Sequence, residues 1–345
     1  MSCLTAELTA PRQFHLAGRP VPRPGAGEVL VRVAACGICG SDLHNYLEGG
    51  IGDTPAVFPM VLGHEPCGTV AGCGEGVGGW SPGDRVAVEP AIYCYHCEYC
   101  LTGRHNVCAR LRFLSQPGDP GFFREYAVVP AASVMALPPS LSLAEGALFE
   151  PLAVAIHSLE FVRLRPGESV AVFGAGPIGL LTVAMLRLAG AGRIWSVEPV
   201  PGRRELALRL GADAAIDPSA QDPAGIIAGD TGGRGVDAAI DCATQGDTTN
   251  ICVEAVRRSG RVVVTGIPSE LRTPLDFHAL RRKELALFNV RRSNHNNDLA
   301  LRLLAGQPER FVPILTHRRP LSAITPTFEL LAGRAGGAGK VVIEP

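Results

Sequence analysis

The sequence predicts two kinds of domain in one chain: a β-barrel or sandwich of short strands, and a doubly wound parallel sheet of alternating strands and helices. Three observations predict this. The chain has 345 residues, more than one hydrophobic core ordinarily serves. Its first quarter consists of short apolar runs broken by glycine and proline, and one of them, Glu28-Val-Leu-Val-Arg-Val-Ala, alternates as a half-buried strand does. From Ser169 onward, strand-like runs alternate with helical stretches, the pattern of a parallel sheet wrapped by helices.

Composition sets the outer limits. With 46% hydrophobic and 19% charged residues the chain is globular rather than disordered, and 41 glycines with 28 prolines imply many turns. The net charge is −1 and no long basic run occurs, so neither nucleic acid nor an anionic membrane is an expected partner. Met1-Ser-Cys-Leu-Thr-Ala-Glu-Leu lacks a basic region leading into an apolar one, so no signal peptide is expected. The most apolar stretch, Ser169 to Ala191, holds Gly174, Gly176, Pro177, Gly179 and Arg187, and reads as strand, turn and helix rather than a membrane span. Eleven cysteines, an odd number without an export signal, fit metal binding and free thiols better than disulfides. The expected location is the cytoplasm.

Taken in order, Glu28–Ala34, Gly68-Thr-Val-Ala and Asp84-Arg-Val-Ala-Val are strands of the first domain, with chemistry on the loops between them. Cys36-Gly-Ile-Cys39-Gly-Ser41-Asp42-Leu-His44 and Gly63-His64-Glu65-Pro66 bring a thiolate, an imidazole and a carboxylate close in sequence, the donor set of a catalytic zinc. Cys39, His64 and Glu65 are the candidate ligands, with Ser41 and His44 as polar groups beside the metal. Cys94-Tyr-His-Cys97-Glu-Tyr-Cys100 followed by Cys108 can close a four-thiolate structural zinc site with no open position. Two disulfides, an iron–sulfur cluster or idle thiols are the alternatives. His96 within that loop is a bystander, because four thiolates already complete the site.

Gly121-Phe-Phe-Arg-Glu-Tyr-Ala-Val-Val returns to strand pattern, and a helix then starts near Ser140 or Ser142 and continues through Glu150-Pro-Leu-Ala-Val-Ala-Ile-His157. Glu150 is either a fourth metal group or simply a carboxylate at a helix start. Ser169-Val-Ala-Val-Phe runs into Gly174-Ala-Gly176-Pro177-Ile178-Gly179, a strand feeding a glycine turn and then a helix. That arrangement seats a pyrophosphate on backbone N–H groups. Arg193–Val197 ends at Glu198, where a carboxylate accepts hydrogen bonds from ribose hydroxyls and repels a 2′-phosphate, so NAD is expected over NADP. Arg203 and Arg204 follow closely and could instead accept that phosphate. Ala214–Asp217, Val236–Asp241 and Gly260–Gly266 continue the alternation; Asp298–Ala305 reads as an amphipathic helix and Lys340–Glu344 as a closing strand.

The motifs taken together, in order and spacing, resemble the zinc-dependent medium-chain alcohol dehydrogenases over essentially the whole chain, most closely their polyol (sorbitol) dehydrogenase branch. The resemblance implies a co-chaperonin (GroES)-like β-barrel catalytic domain with the structural zinc loop over residues 1–153. It further implies a Rossmann NAD-binding domain over 154–290 and a return to the catalytic domain over 291–345. Cys39, His64 and Glu65 would hold catalytic zinc, Cys94, Cys97, Cys100 and Cys108 structural zinc. Glu150 stands where the classical alcohol dehydrogenases have a second cysteine; it would ligate directly or through water, and Glu65 could trade places with it. Asp42 would orient His64. Ser41, the cofactor ribose and His44 would relay the alcohol proton to solvent. Arg203 joins Gly174, Gly176, Pro177, Ile178, Gly179 and Glu198 as a candidate cofactor residue. A homodimer or homotetramer through the Rossmann sheets is implied.

Two departures bear on substrate. The sorbitol dehydrogenases carry tyrosine after the His44 position, where this chain has Asn45, and Arg-Tyr-x-Asn where it has Arg291-Arg292-Ser293-Asn294. Arg291 keeps the substrate-binding arginine; Arg292 adds a cation that either selects an acidic or phosphorylated polyol or points to solvent. Phe113 is a candidate for the apolar wall of the pocket. The expected activity is hydride transfer from a secondary alcohol (polyol, sugar or diol) to NAD, giving a ketone. Threonine-, butanediol- or sugar-phosphate-type dehydrogenases are alternatives in the enzyme class. A zinc-free reductase on the same fold is argued against by the metal ligands, and a non-catalytic NAD-binding regulator is the alternative outside it.

Overall fold

The computed structural model describes residues 2–345. Its first layer is a mainly antiparallel barrel sheet. A hairpin of β1 (Ser2–Ala10) and β2 (Gln13–Pro20) leads into β3 (Glu28–Gly37), the longest strand, which buries Val29, Val31 and Val33 on one face. After helix α1 (Gly40–Glu48), β4 (Glu65–Cys73), β5 (Arg85–Val88), β6 (Tyr126–Pro130) and β7 (Val134–Ala136) complete most of the barrel.

Helix α2 (Phe149–Val162) carries the chain across to the second layer. There β8 (Ser169–Phe173), α3 (Pro177–Leu188), β9 (Arg193–Val197), α4 (Pro201–Arg209) and β10 (Ala214–Ile216) are followed by α5 (Pro223–Asp230) and β11 (Val236–Asp241). Helix α6 (Thr248–Ala255), β12 (Val256–Val264), α7 (Phe277–Lys283) and β13 (Ala286–Asn289) finish it. The strand order is β10-β9-β8-β11-β12-β13, every pair parallel. The order reverses direction at β8, and the carboxyl ends of strands at such a reversal open a crevice for ligand. Beyond it, α8 (Asn297–Gly306) packs against α2. β14 (Leu315–Pro320), α9 (Ile324–Ala332) and β15 (Lys340–Glu344) follow, and both strands enter the barrel sheet, in the order β7-β5-β4-β3-β15-β14 with β6 also on β3.

Register places the chemistry. β3 pairs antiparallel with β4 so that Gly37 faces Glu65, and with β15 so that Gly37 also faces Val342. Cys39, His64–Glu65 and Lys340 are thereby gathered at one end of three adjacent strands. Gly37 must lack a side chain: a Cβ there would stand 1.8 Å from a Glu65 carboxylate oxygen.

Two sequence expectations need correction. The helix expected from Ser142 through His157 is two helices, Leu143–Gly146 and α2. Ser142 caps the first, accepting the Glu145 N–H while Glu145 accepts the Ser142 N–H. The break falls at Ala147–Leu148 because Pro151 has no N–H to give the Ala147 carbonyl and its ring crowds that carbonyl. Glu150 consequently sits in a helical first turn instead of mid-helix. Gly121–Glu125, expected in strand, is irregular: Phe122 and Phe123 bond to Gly63 and Leu62, and Glu125 to Leu4, so the backbone is shared between two segments rather than one ladder. Among the described residues no helix is long and apolar enough to cross a membrane.

Candidate active site and metal centres

Cys39 precedes α1, and Asp42 in the first turn accepts the Cys39 N–H through Oδ2 at 3.0 Å. The other Asp42 oxygen takes the Gly63 N–H and the Ser115 hydroxyl and lies 3.4 Å from His64 Nδ1. One carboxylate thus ties the cysteine loop to the histidine loop. Ligand atoms of Cys39, His64 and Glu65 all lie within 4.8 Å of one another, and Ser41 Oγ is 3.5 Å from His64 Nε2. Burial disfavours charge on His64, yet Asp42 and the Cys39 sulfur outweigh it and hold the ring's proton affinity well above the ordinary imidazole value. The cluster draws a cation to that point, and with a soft sulfur, an imidazole and a carboxylate the donor set fits zinc.

Glu65 is wholly buried and its charge is answered by Lys340, whose Nζ donates to Oε1 at 2.5 Å and to the Ile38 carbonyl at 2.9 Å. Glu150 lines the same cleft but lies outside the group of three. Burial pushes its carboxyl up to about 7, with the charges of Glu65 and Glu89 adding to the rise and His64 opposing it.

One cleft of about 890 Å³ unites these groups with the second layer. Gly174, Gly176, Pro177, Ile178, Gly179, Glu198 and Arg203 all line it. Gly174 has φ +89°, which favours glycine, and a Cβ on Gly179 would stand 1.8 Å from the Gly174 carbonyl oxygen. Pro177 opens α3, where its missing N–H is no loss. Glu198 Oε2 accepts the Ala175 N–H at 2.7 Å and Oε1 the Val200 N–H at 3.0 Å, which aims the carboxylate at the glycine turn. Arg204 is committed elsewhere, to the Glu198 and Pro199 carbonyls and to Asp217. Arg203 donates Nε to the Ala338 carbonyl and remains at the cleft.

On the substrate side, Arg291, Arg292 and Phe113 line the cleft. Arg292, which sequence left as either pocket cation or solvent-facing, lies with its guanidinium carbon 3.8 Å from the Phe113 ring centroid. His44 on α1 bonds through Nδ1 to Glu48 one turn later, at 3.1 Å. Glu48 in turn accepts the Ser269 hydroxyl at 3.2 Å from the loop after β12.

The four cysteines converge separately. Cys94 and Cys108 sulfurs are 3.5 Å apart, and the pairs Cys94–Cys100 and Cys97–Cys108 are each 3.9 Å apart. Zinc–sulfur bonds of about 2.3 Å give tetrahedron edges of about 3.8 Å, so the spacing fits one zinc. N–H groups of Cys94, Cys97 and Arg110 point at these sulfurs. Backbone N–H donors bring the Cys97 thiol down to about 6. His96 turns away, its Nδ1 near the Cys94 carbonyl and its Nε2 near Arg110.

Sequence reading missed Lys340 and Glu48 as members of this site. A lysine opening an otherwise apolar strand was the available signal for the first, and its partner lies 275 residues away. For Glu48 the signal was its place four residues after His44 on one helix face.

Comparison with known proteins agrees with this geometry. The alcohol dehydrogenase GroES-like domain matches residues 25–139, a span that includes both metal clusters, and the zinc-binding dehydrogenase domain matches residues 177–305. A sorbitol dehydrogenase of Bacillus subtilis is 37% identical over 294 residues, covering 85% of this chain and 83% of that protein. Among solved structures, a zinc-binding dehydrogenase of Sinorhizobium meliloti bound to NADP superposes with TM-score 0.92 at 31% identity, covering both chains fully. L-idonate 5-dehydrogenase of Escherichia coli does so with TM-score 0.91 at 28% identity, covering 100% of this chain and 99% of that one. With both halves matched and the sorbitol dehydrogenase alike along most of its length, the chain belongs to the zinc-dependent medium-chain alcohol dehydrogenases, in their polyol dehydrogenase branch.

Proposed function

We propose that this protein oxidises a secondary alcohol of a polyol, sugar or diol to the ketone, with NAD as hydride acceptor. The observation that carries the proposal is the single cleft in which the Cys39–His64–Glu65 cluster faces the glycine turn and Glu198. The reaction balances simply: the carbinol carbon gives a hydride to the nicotinamide, and the hydroxyl gives a proton to solvent. Bound zinc supplies Lewis acidity that makes the alcohol a stronger acid.

The residues divide the remaining work. Cys39, His64 and Glu65 would hold the metal, Glu150 would ligate it directly or through a water, and Asp42 keeps His64 in place. Lys340 answers the buried charge of Glu65. Ser41 takes the substrate proton and His44 passes it outward; the bond from His44 to Glu48 leaves the other ring nitrogen free for that transfer. Gly174 to Gly179 and the α3 N-terminus receive the pyrophosphate. Glu198 receives the ribose hydroxyls, which supports NAD over NADP, while Arg203 is the cation that a 2′-phosphate would use. Arg291 and Phe113 bound the substrate. The four cysteines hold a second, structural zinc.

A homodimer or homotetramer formed through the Rossmann sheet completes the reading. Its support is the free edge of β13 beside exposed Ile267, Leu271, Leu275 and Phe277. Eleven free cysteines support a reducing compartment, the cytoplasm. Initial rates of NADH and NADPH formation across polyols, diols, sugars and threonine, with zinc content measured on the same sample, test the proposal. No reduction of either nucleotide by any alcohol in a zinc-loaded sample would overturn it.

A further inference from the structure

Among the described residues, the substrate wall of the cleft holds a cation that makes no direct ion pair. Arg292 is half-buried, and its Nη1 is sealed from solvent without a hydrogen-bond partner. Among the described residues no carboxylate lies within ion-pair distance of it. Its stacking on Phe113 satisfies one face of the guanidinium and fixes its plane. Arg291, its neighbour in sequence, is exposed and lines the same cleft. The backbone at Arg292 takes φ +55°, a conformation that L residues with side chains rarely adopt, so the chain turns sharply at this residue. Burial first, and then the charge of Arg291, lowers its proton affinity to about 10, with the nearby Glu150, Tyr93 and Glu89 opposing the fall, so it stays charged at neutral pH.

A half-buried, charged fork with no direct hydrogen-bonded partner is a costly arrangement unless something else completes it. Guanidinium groups match carboxylate and phosphate oxygens in geometry and charge. We infer that the substrate is an acidic polyol, carrying a carboxylate or phosphate that Arg292 receives with Arg291 beside it, while the alcohol carbon lies at the Cys39–His64–Glu65 cluster. This rests on the reading of the cleft as an alcohol dehydrogenase site and sharpens its substrate class.

The test uses three compounds with one carbon skeleton: sorbitol, gluconate and sorbitol 6-phosphate. Zinc-loaded wild-type enzyme, Arg292→Gln and Arg292→Lys are compared for NAD-linked initial rates. The same compounds are titrated calorimetrically into the enzyme–NADH complex. In wild type, at least one anion exceeds sorbitol in kcat/KM or in affinity by about tenfold or more, the gain of one charge-assisted pair. Arg292→Gln removes that advantage, mainly through KM, so that the ratio of anion to sorbitol kcat/KM falls by about tenfold or more whatever happens to sorbitol itself; Arg292→Lys retains part of it. A carboxylate preference without a phosphate preference, or the reverse, names which acid the site takes. Equal or better use of sorbitol by wild type overturns the inference and leaves the dehydrogenase reading standing. An anion preference unchanged in Arg292→Gln overturns it too, because another cation then makes the contact. Absence of turnover with all three counts against the dehydrogenase reading, and the calorimetric affinities still decide the inference.

Discussion

Lys340 Nζ lies 2.5 Å from the Glu65 carboxylate, and neither side chain is exposed by more than 1%. The pair joins the last strand of the chain to the first residue after His64, and so couples closure of the barrel to the metal cluster. In zinc-free protein, Lys340→Met should leave a buried carboxylate unanswered and destabilise the fold by about 3–5 kcal/mol. Glu65→Gln combined with Lys340→Met should recover much of that loss, which denaturant unfolding of the single and double variants will show.

The four-cysteine loop should hold zinc independently of the cleft. Cys97→Ser is expected to lower bound zinc from two ions per chain to one and to reduce the melting temperature, because structural zinc contributes directly to folding. Elemental analysis and a thermal scan of the same sample check both effects. Two zinc ions remaining in the variant would refute the assignment.

Asp237 on β11 bonds to residues of both neighbouring strands, Ser169 of β8 and Arg257 of β12. Burial alone would raise its carboxyl, but Arg234, Arg257 and the Ser169 N–H and hydroxyl outweigh that and hold it well below the usual carboxylate range. A folded value below the unfolded one gives stability that is present above the ordinary aspartate range and is lost as pH falls through the folded value. Asp237→Asn should therefore cost about 1–3 kcal/mol at pH 7. The gap to wild type should narrow below pH 4. Unfolding at both pH values tests the sign as well as the size.

The proposed preference for NAD over NADP rests chiefly on Glu198. Glu198→Ala should weaken NAD by about tenfold, one charged hydrogen-bonding group, while NADP binding holds or improves. Gly179→Ala should weaken both nucleotides together, since its Cβ would stand 1.8 Å from the Gly174 carbonyl and force the turn open. Fluorescence titration with NADH and NADPH separates the two effects.

What could be read from sequence was what lies close along it. The glycine turn, the four cysteines and Cys39 with His64–Glu65 are each contained in a short stretch, so spacing alone displayed their chemistry. Lys340 meets Glu65 across 275 residues, and Arg292 meets Phe113 from just beyond β13; pairings of that kind depend on the folded register. The break between Gly146 and Phe149 is a different case, because Pro151 announced it and the apolar run around it concealed the signal.

The central claim is that the Cys39–His64–Glu65 cluster holds the metal on which alcohol oxidation depends. Cys39→Ser tests it most directly, with zinc per chain and NADH formation measured on one preparation alongside wild type. The account predicts two zinc ions and turnover in wild type, and one zinc ion with turnover reduced by about a thousandfold or more in the variant. A Cys39→Ser protein that keeps wild-type turnover with a single zinc ion would contradict it.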